Sequence, residues 1–177
     1  MPRANSPRNK RWRAAFFATA LLIIACDQLS KLWIRTNLAF GQSLPPEGGF
    51  FRLEYTHNSG AAFGLFQGQS LPLTILALIS AIFLLSYAPF IYRRLPVVDN
   101  RLGSLALGLV LGGTVGNLID RLHLGYVTDF IGIGIWPTFN IADSSIVVSA
   151  IILAYLIITR LKPGNADLAA RYDGKGT

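Results

Sequence analysis

Four stretches of this chain are long and apolar enough to cross a bilayer core as helices, which takes about 17–25 residues each. They run from about Trp12 to Ile34, Leu71 to Tyr92, Leu102 to Ile119 and Ile141 to Thr159. A fully buried helix of a soluble protein can imitate one such run. Four in 177 residues leave no polar shell to bury them, because only 14% of the chain is charged and mean hydropathy is +0.46. A soluble domain carries about 25% charged residues. The pattern therefore predicts an all-α membrane protein, a single polytopic domain over 1–177 with mobile tails at about 1–11 and 162–177.

The basic residues set the orientation. Cytoplasmic flanks of membrane helices are enriched in Lys and Arg. The N-terminal tail, the link between the second and third runs, and the C-terminal tail together hold twelve of the sixteen. Only Lys31, Arg35, Arg52 and Arg121 lie at the other side. Both termini are thus expected in the cytoplasm, with the first loop and the loop from Asp120 to Asn140 facing outward. The net charge of +7 follows from these membrane flanks, not from a nucleic-acid surface. In the first outer loop, Phe51, Leu53 and Tyr55 alternate with Arg52, Glu54 and Thr56, the period of a half-buried strand. His57-Asn58-Ser59-Gly60 reads as a turn, so a small β-sheet between the first and second helices is expected on the outer surface. This segment up to Phe66, and the loop containing Gly132 and Gly134, are candidates for a moving lid.

The first run also resembles a signal peptide ending in Ile23-Ile24-Ala25-Cys26, a lipobox-like quartet. A lipoprotein, however, releases a polar domain, whereas here the apolar pattern resumes at Leu29 and three further spans follow. One Cys and two His exclude a disulfide framework and a Cys/His zinc site, and no metal-ligand spacing occurs, so neither metal nor cofactor is expected. Gly108, Gly112 and Gly116 recur every four residues, the small-residue spacing that lets membrane helices approach closely. That packing is expected to bring the outer end of the third helix against the start of the fourth.

Ionisable groups at a membrane span are costly and need a partner or a task. Four of the nine acids sit at the outer ends of spans: Asp27, Asp120, Asp129 and Asp143. Asp27 precedes Lys31 by four, the favourable acid-before-base spacing on a helix. Asp120 adjoins Arg121, although neighbouring helix positions diverge. Asp129 and Asp143 have no basic residue within five positions. Asn140 with Asp143 also spells a variant capping box, and Asp129 fits a solvated loop, so spacing leaves a structural and a catalytic reading open. Two carboxylates in contact would hold one proton between them, the requirement of aspartic-protease chemistry. His57 and His123 have no nucleophile nearby, and Ser30 and Lys31 point apart on a helix. A transporter also uses buried acids, but spreads them through the membrane depth.

Five blocks in order complete the picture: Asp27-Gln28-Leu29-Ser30-Lys31, Asn58-Ser59-Gly60-Ala61-Ala62-Phe63, Gly112 to Arg121, Val127-Thr128-Asp129-Phe130, and Phe139-Asn140-Ile141-Ala142-Asp143-Ser144. In these the chain resembles the lipoprotein signal peptidases (signal peptidase II), bacterial inner-membrane aspartic proteases. Ser59, where the family usually has Thr, is a departure that keeps the hydroxyl. The resemblance implies four transmembrane helices with a small extracytoplasmic β-sheet cradle, and catalytic aspartates at Asp129 and Asp143. It implies supporting polar residues at Asp27, Asn58, Asn117, Asp120, Arg121 and Asn140. Lys31 and Gly60, within the same blocks, join them as candidate supporting or substrate-binding residues. The implied reaction is removal of the signal peptide from diacylglyceryl-modified prolipoproteins, just before the lipidated Cys. The implied partners are those substrates and membrane lipid; the sequence leaves the oligomeric state open, with a monomer favoured.

Overall fold

The computed structural model describes residues 7–46, 49–60, 68–95 and 97–161. Its elements in chain order are α1 (Pro7–Asn37), β1 (Ser43–Leu44), β2 (Phe51–Asn58), α2 (Ser70–Arg94), α3 (Arg101–Leu124), β3 (Val127–Ile133), β4 (Trp136–Phe139) and α4 (Ile141–Leu161). Four helical stretches are long and apolar enough to cross a membrane: Trp12–Asn37, Ser70–Ala88, Arg101–Leu124 and Ile141–Thr159. The helices begin earlier or end later than hydropathy suggests. Pro7 to Arg11, expected in the N-terminal tail, continue α1. The rest of that tail and the C-terminal tail lie outside the described residues.

Helix α3 is the centre of the bundle, with 61% of its apolar window buried against 11–22% for the other three. Its start is capped by Asn100, whose side chain accepts from the Gly103 N–H at 3.0 Å. Gly125, with φ of 80°, ends it in the left-handed conformation that glycine adopts without strain. Around α3 the usual polarity of a globule is inverted. Leu76, Phe83 and Ile151 on α2 and α4 face outward, while Ser104, Ser145 and Ser149 are buried. Each buried serine hydroxyl bonds a helix carbonyl, as Ser149 does to Ala106 at 2.8 Å, because lipid supplies no alternative partner.

The glycine stripe of α3 packs differently from expectation. Gly108 and Gly112 press on α1: a Cβ there would lie 2.6 Å from the Phe16 carbonyl and 2.8 Å from that of Ala20. Gly113, one position off the stripe, is the residue that admits α4, with Ser145, Ala142 and Ile146 over it. Gly116 touches both partners, the Asp27 carboxylate and the Ala142 methyl. The stripe therefore docks α1, and a second glycine face docks α4.

The β-sheet draws on both the connection between α1 and α2 and that between α3 and α4. Its four antiparallel strands lie in the order β1-β2-β3-β4, so half of it comes from between α3 and α4, a segment expected as loop. Gly132 belongs to β3, where a Cβ would strike the Arg52 side chain, so it is no loose hinge. The register sets Thr56 opposite Asp129 and Asn58 opposite Val127. The lid candidate is described only to Gly60; residues 61–67 lie outside the described set.

Gly113→Ala should lower stability by about 1–3 kcal/mol, because a methyl group has no space between α3 and α4. Thermal unfolding in detergent should show a lowered Tm; an unchanged Tm would contradict this packing.

Candidate active site

On α1, residues four apart share a face, and Asp27, Lys31 and Arg35 all turn theirs toward α3 and β3. Lys31 is fully buried, with its Nζ 2.8 Å from Asp27 and 3.2 Å from Asp120 of α3. It also donates to Asn117 Oδ1 at 2.9 Å. The second oxygen of Asp27 accepts from the Ala142 N–H at 3.0 Å, one of the unpaired donors of the first turn of α4. Asp120 in turn accepts from the Thr128 N–H at 2.9 Å, tying β3 to the bundle. Asp120 thus pairs with Lys31 and not with its neighbour Arg121. The guanidinium of Arg121, directed elsewhere round the helix, donates to the Gly60 carbonyl at 2.9 Å.

Above this cluster lie the two remaining acids. Asp129 projects from β3 and is buried; its oxygens accept from Asn58 at 2.9 Å and from Asn140 at 2.6 Å. Asp143 occupies the first turn of α4. The capping box forms, with the Asp143 N–H donating to Asn140 Oδ1 at 2.9 Å and the Asn140 N–H reaching Asp143 at 3.4 Å. The same carboxylate accepts from Asn117 at 2.8 Å. Asn140 therefore holds both acids: its amide N–H binds Asp129 and its carbonyl binds the backbone of Asp143. Cap and site coincide. Among the described residues neither acid forms an ion pair. The Asp129 carboxyl is pushed up to about 7, first by burial and then by the neighbouring Asp143 charge. The Asn58 and Asn140 donors and the more distant Lys31 charge oppose that rise.

The histidine of β2 plays no part in this arrangement. His57 lies stacked against Tyr126 at 3.6 Å and 3.1 Å from the Tyr55 hydroxyl, with its pKa lowered by burial. No group of three or more His, Cys, Asp or Glu suited to a metal ion occurs among the described residues. Beside Asp143 opens a groove of about 480 Å³, walled by Ile133, Trp136, Phe139, Ile146 and Val147. A polar pair at the edge of an apolar groove suits a substrate that is itself mostly apolar.

A family model described as signal peptidase (SPase) II matches residues 19–159. The chain belongs to the signal peptidase II family. It is 52% identical over 143 residues to the lipoprotein signal peptidase of Dehalococcoides mccartyi strain BAV1, covering 81% of this chain and 88% of that protein. The lipoprotein signal peptidase of Moorella thermoacetica is 48% identical, with 81% and 92% covered. A bacterial membrane enzyme solved by the in meso method at 2.3 Å resolution superposes with a TM-score of 0.72 at 30% identity, over 85% of this chain and 93% of that one. As a member of the signal peptidase II family, the protein is a multi-pass membrane protease.

The structure of this signal peptidase II family member brings all ten candidate site residues to one end of the bundle. It adds three that sequence reasoning passed over. Gln28 donates to Asp120 at 3.2 Å and to the Gly116 carbonyl at 3.0 Å. Arg35 reaches Thr128 Oγ1 at 3.1 Å and Asp120 at 3.6 Å. The signal for Arg35 was present, since it extends the four-residue step from Asp27 through Lys31. Thr128 stands in the block around Asp129, but nothing in the sequence sets it apart there as a contact of Arg35.

Lys31→Met would leave the buried Asp27 without its cation and Asp120 with Arg35 alone, a loss of about 3–5 kcal/mol. Unfolding curves in detergent should show it, and adding Asp27→Asn should recover part of the loss. A fold indifferent to Lys31→Met would contradict the role given to this cation.

Proposed function

We propose that Asp129 and Asp143 are the catalytic pair of an aspartic endopeptidase that removes signal peptides from diacylglyceryl-modified prolipoproteins, cutting just before the lipidated Cys. The observation that carries this reading is the convergence of two buried acids, from a strand and from a helix start, on the single side chain of Asn140. Neither is neutralised by a salt bridge among the described residues, so the economical state of the pair is one shared proton and one charge.

In that state the ionised carboxylate takes a proton from a bound water as the water oxygen attacks the scissile carbonyl. The protonated carboxyl hydrogen-bonds the carbonyl oxygen, which becomes a hydroxyl of the tetrahedral intermediate. Collapse breaks the C–N bond as the proton gained from water passes to the nitrogen of the lipidated Cys, while one hydroxyl of the intermediate returns its proton to the pair and restores the starting state. The signal peptide leaves with a new carboxylate, and no covalent enzyme intermediate is needed. The proton belongs to the pair, with no assignment to either member.

The surroundings suit the rest of the substrate. Asn58, Asn117 and Asn140 hold the two carboxylates in place and offer donors to peptide backbone that lipid leaves unsatisfied. Arg121 fixes the turn at Gly60, and its buried Nε has no partner among the described residues, leaving a donor for a substrate carbonyl. The apolar groove beside Asp143 accommodates acyl chain or signal helix entering from the lipid. We place the protein in the bacterial inner membrane as a monomer, with both termini cytoplasmic and the pair at the outer face. The twelve-to-four distribution of Lys and Arg supports that orientation.

Asp129→Asn and Asp143→Asn, made singly, should each lower kcat on a diacylglyceryl preprotein by about 10³-fold or more while the protein still inserts and folds. Full turnover by either folded variant would remove the mechanism. For the unmodified enzyme, kcat/KM should fall as pH rises through about 7, because the raised Asp129 pKa marks where the shared proton is lost. A rate still level at about pH 10 would contradict a shared proton.

A further inference from the structure

We propose that Arg35 is a positioning residue for the catalytic pair, fixing the strand segment that carries Asp129 and cancelling a surplus negative charge in the cluster beneath it. The inference rests on the reading of Asp129 and Asp143 as catalytic. It begins with a charge count: Lys31 is shared between Asp27 and Asp120, so that trio carries one negative charge too many. Water cannot stabilise the excess, because all three side chains are buried. Arg35 is the next cation, one helical turn beyond Lys31, with Nη1 3.6 Å from Asp120.

The same guanidinium nitrogen donates to the hydroxyl of Thr128 at 3.1 Å. Thr128 is fully buried and gripped at three polar atoms: its hydroxyl by Arg35, its N–H by Asp120 and its carbonyl by Asn140 at 3.4 Å. The next residue along β3 is Asp129. Movement of Thr128 therefore moves one of the two carboxylates, and about an ångström is enough to cost a large factor in rate. A planar guanidinium can serve hydroxyl and carboxylate together, which a lysine ammonium does less well.

Among the described residues no other charged group around the pair can replace it. From α1, Lys31 is committed to two carboxylates and Asn117. From α3, Arg121 donates to Gly60. From β2, Arg52 is paired with Glu54, and the Tyr55 hydroxyl and His57 ring contact one another. Tyr126, before β3, is stacked on His57. The Arg35 side chain is 22% exposed, so its charge is screened more than that of Lys31 and its effect should be graded, not absolute.

The test measures kcat, KM and their pH profiles from about pH 5 to about pH 9 for the full chain in lipid nanodiscs, with a diacylglyceryl preprotein peptide as substrate. Arg35→Gln should lower kcat about tenfold with KM changed less than about twofold. It should also move the alkaline limb up by about half a pH unit, because a more negative cluster makes the carboxyls hold their proton more tightly. Arg35→Lys should return the limb toward its original position while leaving kcat reduced. Thr128→Val, which keeps every charge, should lower kcat by about threefold or more without moving the limb. Folded Arg35→Gln with unaltered kcat and pH profile would overturn the proposal. If Arg35→Gln fails to fold, wild-type kcat in Thr128→Val would overturn it, and the predicted loss would support it. Asp129→Asn keeps the two readings apart: inactivity there beside a wild-type Arg35→Gln refutes the role of Arg35 alone, whereas activity there refutes both.

Discussion

Lys31, buried between Asp27 and Asp120, is the interaction on which the rest of the site depends. It joins α1 to α3, and through the carboxylates of its two partners it reaches the first turn of α4 and the start of β3. A membrane bundle gains little from hydrophobic contact between helices, since lipid is as apolar as leucine. Specific polar links and close backbone contact do that work instead. Here the glycines of α3 permit the close approach and the buried ions fix the depth at which the helices meet. Gly116 serves both, because its missing Cβ is the space that the Asp27 carboxylate occupies.

The four cations on the sparsely basic side form one pattern. Lys31 and Arg35 are bound to acids of the cluster, Arg52 to Glu54 and the Gly134 carbonyl, and Arg121 to the Gly60 carbonyl. Each serves an internal structural contact. A small number of basic residues on that side is therefore compatible with the strong charge bias of the loops: those present are spent on holding the sheet and the helix ends together. Among the described residues, the carboxylates of the two acids without such cations, Asp129 and Asp143, accept hydrogen bonds from asparagines alone. Amide donors position a carboxylate while favouring its charged form less than a contacting cation would.

Much of this was legible in the sequence for identifiable reasons. The spans follow from hydropathy, the strand at Phe51 from its period of two, and the Asp27–Lys31 pair from helix spacing. The capping box at Asn140 and Asp143 was legible as well, but as an alternative to function; the structure has it forming within the acid pair, so the two readings were never exclusive. What escaped was long-range. Val127–Ile133, with Thr128 beside Asp129 and Phe130 beside Ile131, does not declare itself a strand by alternation, and it becomes one through pairing with β2. Asp120 appeared next to Arg121 in the chain, yet pairs across the bundle with a lysine 89 positions earlier. The stripe of glycines identified a close contact, but the helix expected to fill it was the fourth, and at Gly108 and Gly112 it is α1 that does so.

The central claim is that Asp129 and Asp143 hold one proton between them until the pH rises to about 7. Infrared titration of the resting protein, with its aspartates isotopically labelled, counts protonated carboxyls directly. One carboxyl should remain protonated at about pH 5 and lose its proton near pH 7, and that step should vanish in Asp129→Asn. Two acids both fully ionised by about pH 5 would contradict a shared proton and, with it, the catalytic scheme.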